Sequence, residues 1–247
     1  MFKTTKGLIL REVRYKEADR ILTVLTDTDG KITAKARGAL RKSSRTAAAT
    51  QQLTWSELTL FGNRGKWTVN EGSVVEGFAG LRADIASFAL GSYFSECLDA
   101  FAAEDEPDAA LLQLGLNSLY ALSRALCDPL QIKAAFELRL MTLSGFQPNV
   151  AACVYCGKTE PEEPCLGIET GGLCCRACRQ ADFGMTAGLD AQSLAALRYI
   201  IAAPAKQLFS FKLEGKGLKL LSDAAESYLR EHAERDFSTL AYWKSVK

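Results

Sequence analysis

Two C-x-x-C pairs constrain this chain more than any other feature. Cys153 and Cys156 form one and Cys175 and Cys178 the other, with 18 residues, 157 to 174, between them. That spacing falls within the range of a four-thiolate zinc site. Zinc takes four ligands in a tetrahedron, and each C-x-x-C turn presents two sulfurs on one side of the ion. Two such turns close the shell and leave no vertex for water, so the expected role of Zn2+ is structural. Gly157 directly follows Cys156, as a tight metal-binding turn needs, and Gly171 and Gly172 precede the second pair. Lys158 to Leu173 is polar and turn-rich, with Pro161 and Pro164, and could not make a core unaided. Disulfides or inert buried thiols are the competing readings. Cys165 and Cys174 lie close enough to replace a ligand, although Cys175 has the better spacing to Cys178. Cys97 and Cys127 sit in apolar, helical contexts and read as ordinary core.

The charge is divided along the chain. Residues 1–80 carry 14 Lys and Arg against 8 Asp and Glu, net +6, and the remainder carries 16 against 21, net −5. A basic end of this kind suggests a nucleic-acid partner there. At 247 residues, 48% apolar and 24% charged, the composition is that of a folded soluble chain. No segment reaches the roughly 18 uninterrupted apolar residues of a membrane span. The start, MFKTTKGLIL, lacks the long apolar region and small-residue cleavage site of a secretory signal. With thiols that look unpaired, this suggests a reducing cytoplasm and no membrane partner.

Apolar periodicity switches near Gly80. Before it, five runs read as strands: Lys6 to Tyr15, Arg20 to Thr26, Lys31 to Arg37, Gln52 to Phe61 and Lys66 to Val75. In Lys31 to Arg37, Ile32, Ala34 and Ala36 alternate with Lys31, Thr33, Lys35 and Arg37, the pattern of a half-exposed strand. A turn is expected at Gly62-Asn63-Arg64-Gly65. Five strands with a longer 3–4 connection fit an OB-type barrel, with an SH3-like barrel as rival. After Gly80 the spacing becomes helical over Ala83 to Ala103, Ala109 to Leu126, Pro129 to Gly145, Ala191 to Ala203, Gly217 to Glu234 and Phe237 to Trp243. In Pro129 to Gly145 most apolar groups fall on one face, and Asp190 suits the N-cap of the helix after it. The expected architecture is α+β and multi-domain. A DNA-binding OB-fold β-barrel spans 1–80, and an α-helical domain spans 81–247 and carries a four-cysteine zinc finger at about 150–183.

The barrel's sharpest chemical feature is cationic. No acidic residue occurs from Gly30 to Ser56, a stretch that holds Lys31, Lys35, Arg37, Arg41, Lys42 and Arg45. The first three are expected on one strand face and the last three on a mobile loop, a track that can follow a phosphate backbone. A loop kept soluble by charge is the plainer alternative. Tyr15, Trp55, Phe61 and Trp67 could stack on bases, although a Trp in a small barrel is more often core. Catalytic constellations are absent. The one histidine, His232, reads as a surface helix residue. Gly157-Lys158-Thr159 lacks the earlier glycine of a phosphate-binding loop. Glu160, Glu162 and Glu163 read as a solvated loop. The chain is therefore expected not to be an enzyme; a zinc hydrolase would need an open metal vertex and a base.

The order of these features resembles the bacterial recombination mediator family RecO. Gly7-Leu8-Ile9-Leu10 through Tyr15-Lys16-Glu17-Ala18-Asp19-Arg20 is similar to the family's opening two strands. Thr26 to Gly30 and Arg37-Gly38 are similar to its next turn and strand, and the two C-x-x-C pairs match the zinc pattern of many members. The resemblance covers nearly the whole chain. It implies a cytoplasmic DNA repair protein without catalytic turnover, associated with the nucleoid during repair. It also implies binding to single- and double-stranded DNA and annealing of complementary strands. The implied partners are RecR, in many bacteria RecF, and the RecA recombinase loaded onto DNA coated by single-strand binding protein. An OB-fold RNA-binding or translation-associated module with a structural zinc is the alternative; competition by structured RNA distinguishes it.

Overall fold

The computed structural model describes residues 1–63 and 66–247. The turn expected at Gly62-Asn63-Arg64-Gly65 falls partly outside them, at 64 and 65. Two compact units divide the chain: Met1–Arg124 together with Phe237–Lys247, and Ala125–Asp236.

In the first unit, five strands close a barrel: β1 (Phe2–Tyr15), β2 (Asp19–Thr26), β3 (Gly30–Ala36), β4 (Trp55–Asn63) and β5 (Lys66–Glu76), in the order β1-β2-β3-β5-β4. Neighbours are antiparallel except β3 and β5, which run parallel, with Ala34 opposite Trp67 and Ala36 opposite Val69. This is the OB-like barrel expected. Its interior holds Ile9, Leu22, Val24, Ile32, Ala34, Ala36, Leu58, Leu60 and Val69, with Trp67 packed against them. The small alanines of β3 and Gly7 of β1 let the walls approach. A Cβ on Gly7 would sit 2.4 Å from the Val24 Cγ1.

The middle of β1 is buried on both faces. Leu8 and Leu25 point out of the barrel yet are fully buried, and helices of the same unit lie over Leu8. Leu8 lies against Gly115, where an added Cβ would meet its Cδ2 at 3.4 Å. Those helices are α1 (Ala79–Arg82), α2 (Ile85–Phe101) and α3 (Ala109–Ser123), joined by the terminal α7 (Ser238–Val246). Asp84 and Asp108 cap α2 and α3 by accepting backbone N–H groups of the first turn. The barrel strands end at Glu76, but the compact unit that holds them extends through α3, since the outward leucines need cover.

The second unit contains α4 (Pro129–Leu143), a small sheet of β6 (Asn149–Cys153), β7 (Pro164–Gly167), β8 (Gly172–Cys175) and β9 (Thr186–Gly188) in the order β6-β8-β7-β9, then α5 (Ala191–Ala202) and α6 (Gly215–Ala233). Asp190 caps α5 as expected, in a reciprocal capping box with Ser193. The expectation for α4 needs correction. It is not one-faced: residues 131 to 138 are all buried, including Gln131, Lys133 and Glu137. Lys133 Nζ lies 2.9 Å from Glu137 Oε1 and 3.0 Å from Glu226 Oε2 on α6. A helix surrounded on every side has no polar stripe, so its charges survive only by pairing inside.

His232 also differs from expectation. Its ring is not a free surface group: it stacks 4.9 Å from Phe146 and sits edge-on 4.3 Å from Tyr228, with a hydrogen bond to the Ile168 backbone. Burial pushes its pKa below the ordinary value.

Candidate nucleic-acid face and metal centre

The six basic residues singled out in the sequence separate into two groups. Lys31 and Lys35 project from the outer face of β3, but each meets a carboxylate. Lys31 Nζ is 3.3 Å from Asp99 Oδ1 and donates to the Asp99 carbonyl oxygen at 2.6 Å. Lys35 Nζ is 2.8 Å from Asp19 Oδ2. The Lys35 hydrogen bond and the Gly38 N–H hold the Asp19 carboxyl below the usual carboxylate range. Sequence distance hid these partners, because an acid-free stretch says nothing about what the neighbouring strand or helix brings across.

Arg37, Arg41, Lys42 and Arg45 are exposed and lie within ion-pair distance of no carboxylate among the described residues. Arg37 is not on the strand as expected; β3 stops at Ala36, and a turn follows through Gly38 at φ +63°. The connection to β4 was expected to be a mobile loop, yet it is anchored. Ala39 and Ala49 are buried in the barrel core, Leu40 N donates to the Ala18 carbonyl at 2.9 Å, and Arg20 Nη1 donates to the Ala47 carbonyl and to Thr50 Oγ1. Residues 41–45 are thereby held outward between two buried alanines.

The sequence reading missed two further cations. Arg14 and Lys16 are exposed beside the β1–β2 turn, which the Leu40–Ala18 hydrogen bond joins to the basic loop. Tyr15 is 43% exposed, with Lys35 Nζ 4.9 Å and Lys16 Nζ 5.6 Å from its ring centre. The clue available was two basic residues flanking an aromatic at a strand end. Trp55 and Trp67 are half-buried, Trp67 against the core. The strand 2–3 face and the adjoining loops of an OB barrel are the surface such folds use for oligonucleotides.

In the second unit the four sulfurs of Cys153, Cys156, Cys175 and Cys178 all lie within 4.8 Å of one another. Cys156 Sγ and Cys175 Sγ are 3.7 Å apart. A tetrahedron with metal–sulfur bonds of about 2.3 Å has ligand sulfurs roughly 3.8 Å apart, so the cage fits a zinc-sized ion. The first turn is closed by Gly157 N donating to the Cys153 carbonyl at 2.9 Å and Cys153 N donating to the Lys158 carbonyl at 2.8 Å, with Gly157 at φ +73°. Cys175 N donates to Cys153 Sγ at 3.4 Å. Burial opposes charge on Cys153, but the backbone N–H groups of Cys156, Cys175 and Tyr155 draw its pKa down to about 6. Burial and neighbouring sulfurs push Cys175 up to about 12. Such a set suits a cation that takes all four as thiolates. Cys165 and Cys174 stand outside the cluster, opposite each other on β7 and β8. Burial raises both thiols, Cys174 to about 11.

Family comparison agrees in order and extent. Residues 1–78 match the family model described as recombination protein O N terminal, and residues 82–241 match recombination protein O C terminal. The chain belongs to the recombination protein O family. It is 34% identical over 242 residues to the DNA repair protein RecO of Acetivibrio thermocellus, covering 98% of this chain and 96% of that protein. The RecO protein of Alkaliphilus metalliredigens is 28% identical over 247 residues, with both chains fully covered. That of Symbiobacterium thermophilum is 31% identical, across 98% of this chain and 96% of its own length. Among the described residues no helix is long and apolar enough to cross a membrane.

Proposed function

We propose that this family member is a non-enzymatic DNA-binding protein of recombinational repair. It would bind single- and double-stranded DNA and anneal complementary strands. With RecR, and with RecF where present, it would help load RecA onto DNA coated by single-strand binding protein. The observation that carries the DNA-binding part is the exposed set Arg37, Arg41, Lys42 and Arg45, with no carboxylate in ion-pair reach among the described residues, on an anchored loop of an OB-like barrel. Four like charges held outward repel one another, and a polyanion relieves that repulsion. Bridging two phosphate backbones lowers the repulsion between strands, so complementary sequences can meet without nucleotide hydrolysis. Zn2+ bound by Cys153, Cys156, Cys175 and Cys178 would brace the small sheet and take no part in chemistry, since four sulfurs leave no open vertex. The barrel over residues 1–80 would be the DNA module, and the more acidic remainder would serve protein partners in the cytoplasm.

The test is annealing of complementary oligonucleotides by the purified chain, without ATP, across a salt series. Annealing that fades as salt rises supports the proposal. Absence of annealing at low salt, or displacement of bound single strands by structured RNA at equal concentration, overturns it in favour of an RNA-binding module.

A further inference from the structure

Phe2 and Phe61 form an unusual exposed pair on the barrel. They stand directly opposite each other in the β1–β4 ladder, with ring centres 5.1 Å apart and planes tilted by 52°. Phe2 is 61% and Phe61 39% exposed. Both point outward, because the alternate positions Leu58 and Leu60 fill the barrel interior. The strand registers place them in one row with Lys35 of β3: Lys35 faces Thr68, Thr68 faces Phe61, and Phe61 faces Phe2. Lys66, exposed and two residues before Thr68, shares that outer face. One row further along, Thr59 faces Glu71, whose exposed carboxylate bounds the patch.

We infer that Phe61, supported by Phe2, is a stacking platform for an unpaired base of a single strand whose phosphates follow the cationic face. The inference rests on the DNA-binding proposal and narrows its ligand at this patch. Two strand spacings, about 10 Å, separate Phe61 from Lys35; Lys35 itself is held by Asp19, and the exposed Arg37 follows two residues later, so a strand of a few nucleotides would reach from the ring to that cation. An aromatic face beside a cationic track gives sequence-tolerant affinity for single strands, since every base has a π face. A duplex keeps those faces inside its own stack, so it gains nothing from the rings. The Tyr15 ring, already flanked by two ammonium groups, is a poorer candidate.

The test uses the full chain and fluorescence anisotropy with an oligo-dT strand, an abasic strand of equal length and a duplex. Phe61→Leu keeps the apolar contact with Phe2 but removes the π face. It should weaken oligo-dT binding by about 5- to 150-fold while duplex and abasic-strand affinities stay within about twofold of wild type. The salt slope and thermal midpoint should not change, and Phe61→Trp should restore the loss. Unchanged oligo-dT affinity in Phe61→Leu, or an equal loss on all three ligands, overturns the platform while leaving DNA binding intact. If the unaltered chain binds none of the ligands in a salt-dependent way, the underlying DNA-binding proposal fails and takes the platform with it.

Discussion

Lys31 on β3 reaches across to Asp99 on α2, its ammonium 3.3 Å from the carboxylate and 2.6 Å from the same residue's carbonyl oxygen. A cation that the sequence places in a phosphate-binding track is thus engaged in joining the barrel to its covering helix. Lys31→Met should cost about 1 to 2 kcal/mol of stability through the lost charged hydrogen bonds. DNA affinity should barely move. Denaturant unfolding and anisotropy on the same samples separate the two effects, and a large loss of affinity at unchanged stability would return Lys31 to the interface.

Charge reversal should behave oppositely on the loop. Arg41→Glu with Lys42→Glu leaves the anchors Ala39 and Ala49 untouched, so unfolding should be close to wild type. If both side chains meet phosphates, the log–log salt slope for single-strand binding should shrink by about 1.4, at roughly 0.7 per contact. A slope that does not change would remove these residues from the track.

The metal cage predicts a sharp division among the cysteines. Cys153→Ser should abolish stoichiometric zinc and destabilise the β6–β9 sheet, whereas Cys165→Ser and Cys174→Ser should retain the ion. Metal analysis of purified variants checks this directly. Isolated finger peptides gain about 10–16 kcal/mol from zinc; in a sheet already held by α5 and α6 the gain should be smaller. Loading should fall in acid, since protons compete for the same sulfurs.

Within the second unit, Lys133→Met would leave Glu137 buried without its counter-charge and should cost about 3–5 kcal/mol. Burial alone would lower the Lys133 pKa, but Glu137 and Glu226 together hold it above 10.5. A folded value above the unfolded one means the triad's stabilisation is fully present below about pH 10.5 and is lost only as pH rises through the higher folded value. Alkaline unfolding of the wild type, read by circular dichroism, should show that late loss, and Lys133→Met should lack it.

His232 gives the acid counterpart. Its folded pKa lies below the ordinary 6.5 because burial disfavours the imidazolium. The unfolded chain therefore binds the proton first, so stability is complete above about pH 6.5 and declines as pH falls toward the folded value. His232→Phe preserves the packing on Phe146 and Tyr228 and should flatten the decline in stability below about pH 6.5; a curve identical to wild type would assign the acid sensitivity elsewhere.

Much of this was legible in one dimension because it is local. Alternation from Lys31 to Ala36, the helical spacing after Gly80, Asp190 before α5 and the two C-x-x-C turns each depend on residues a few positions apart, and each appears about where the local pattern puts it, although Arg37 falls in the turn after β3. Pairing across elements was not legible. The acid-free run from Gly30 to Ser56 looked uniformly available to phosphate, yet Asp19 from β2 and Asp99 from α2 meet two of its lysines. Lys133 and Glu137 stand four apart in one helix, but the third member of their triad, Glu226, comes from 89 positions beyond Glu137.

The amino acids alone determined the barrel-then-helix order, the four-cysteine cluster and the cationic character of the first 80 residues. These follow from backbone periodicity, turn spacing and charge, which act over a few residues. Only tertiary structure decided which cations remain exposed, that residues 131 to 138 of α4 are buried on every face, and that Phe2 and Phe61 share a row with Lys35. Coulomb attraction and burial depend on distance in space, and strand register sets that distance.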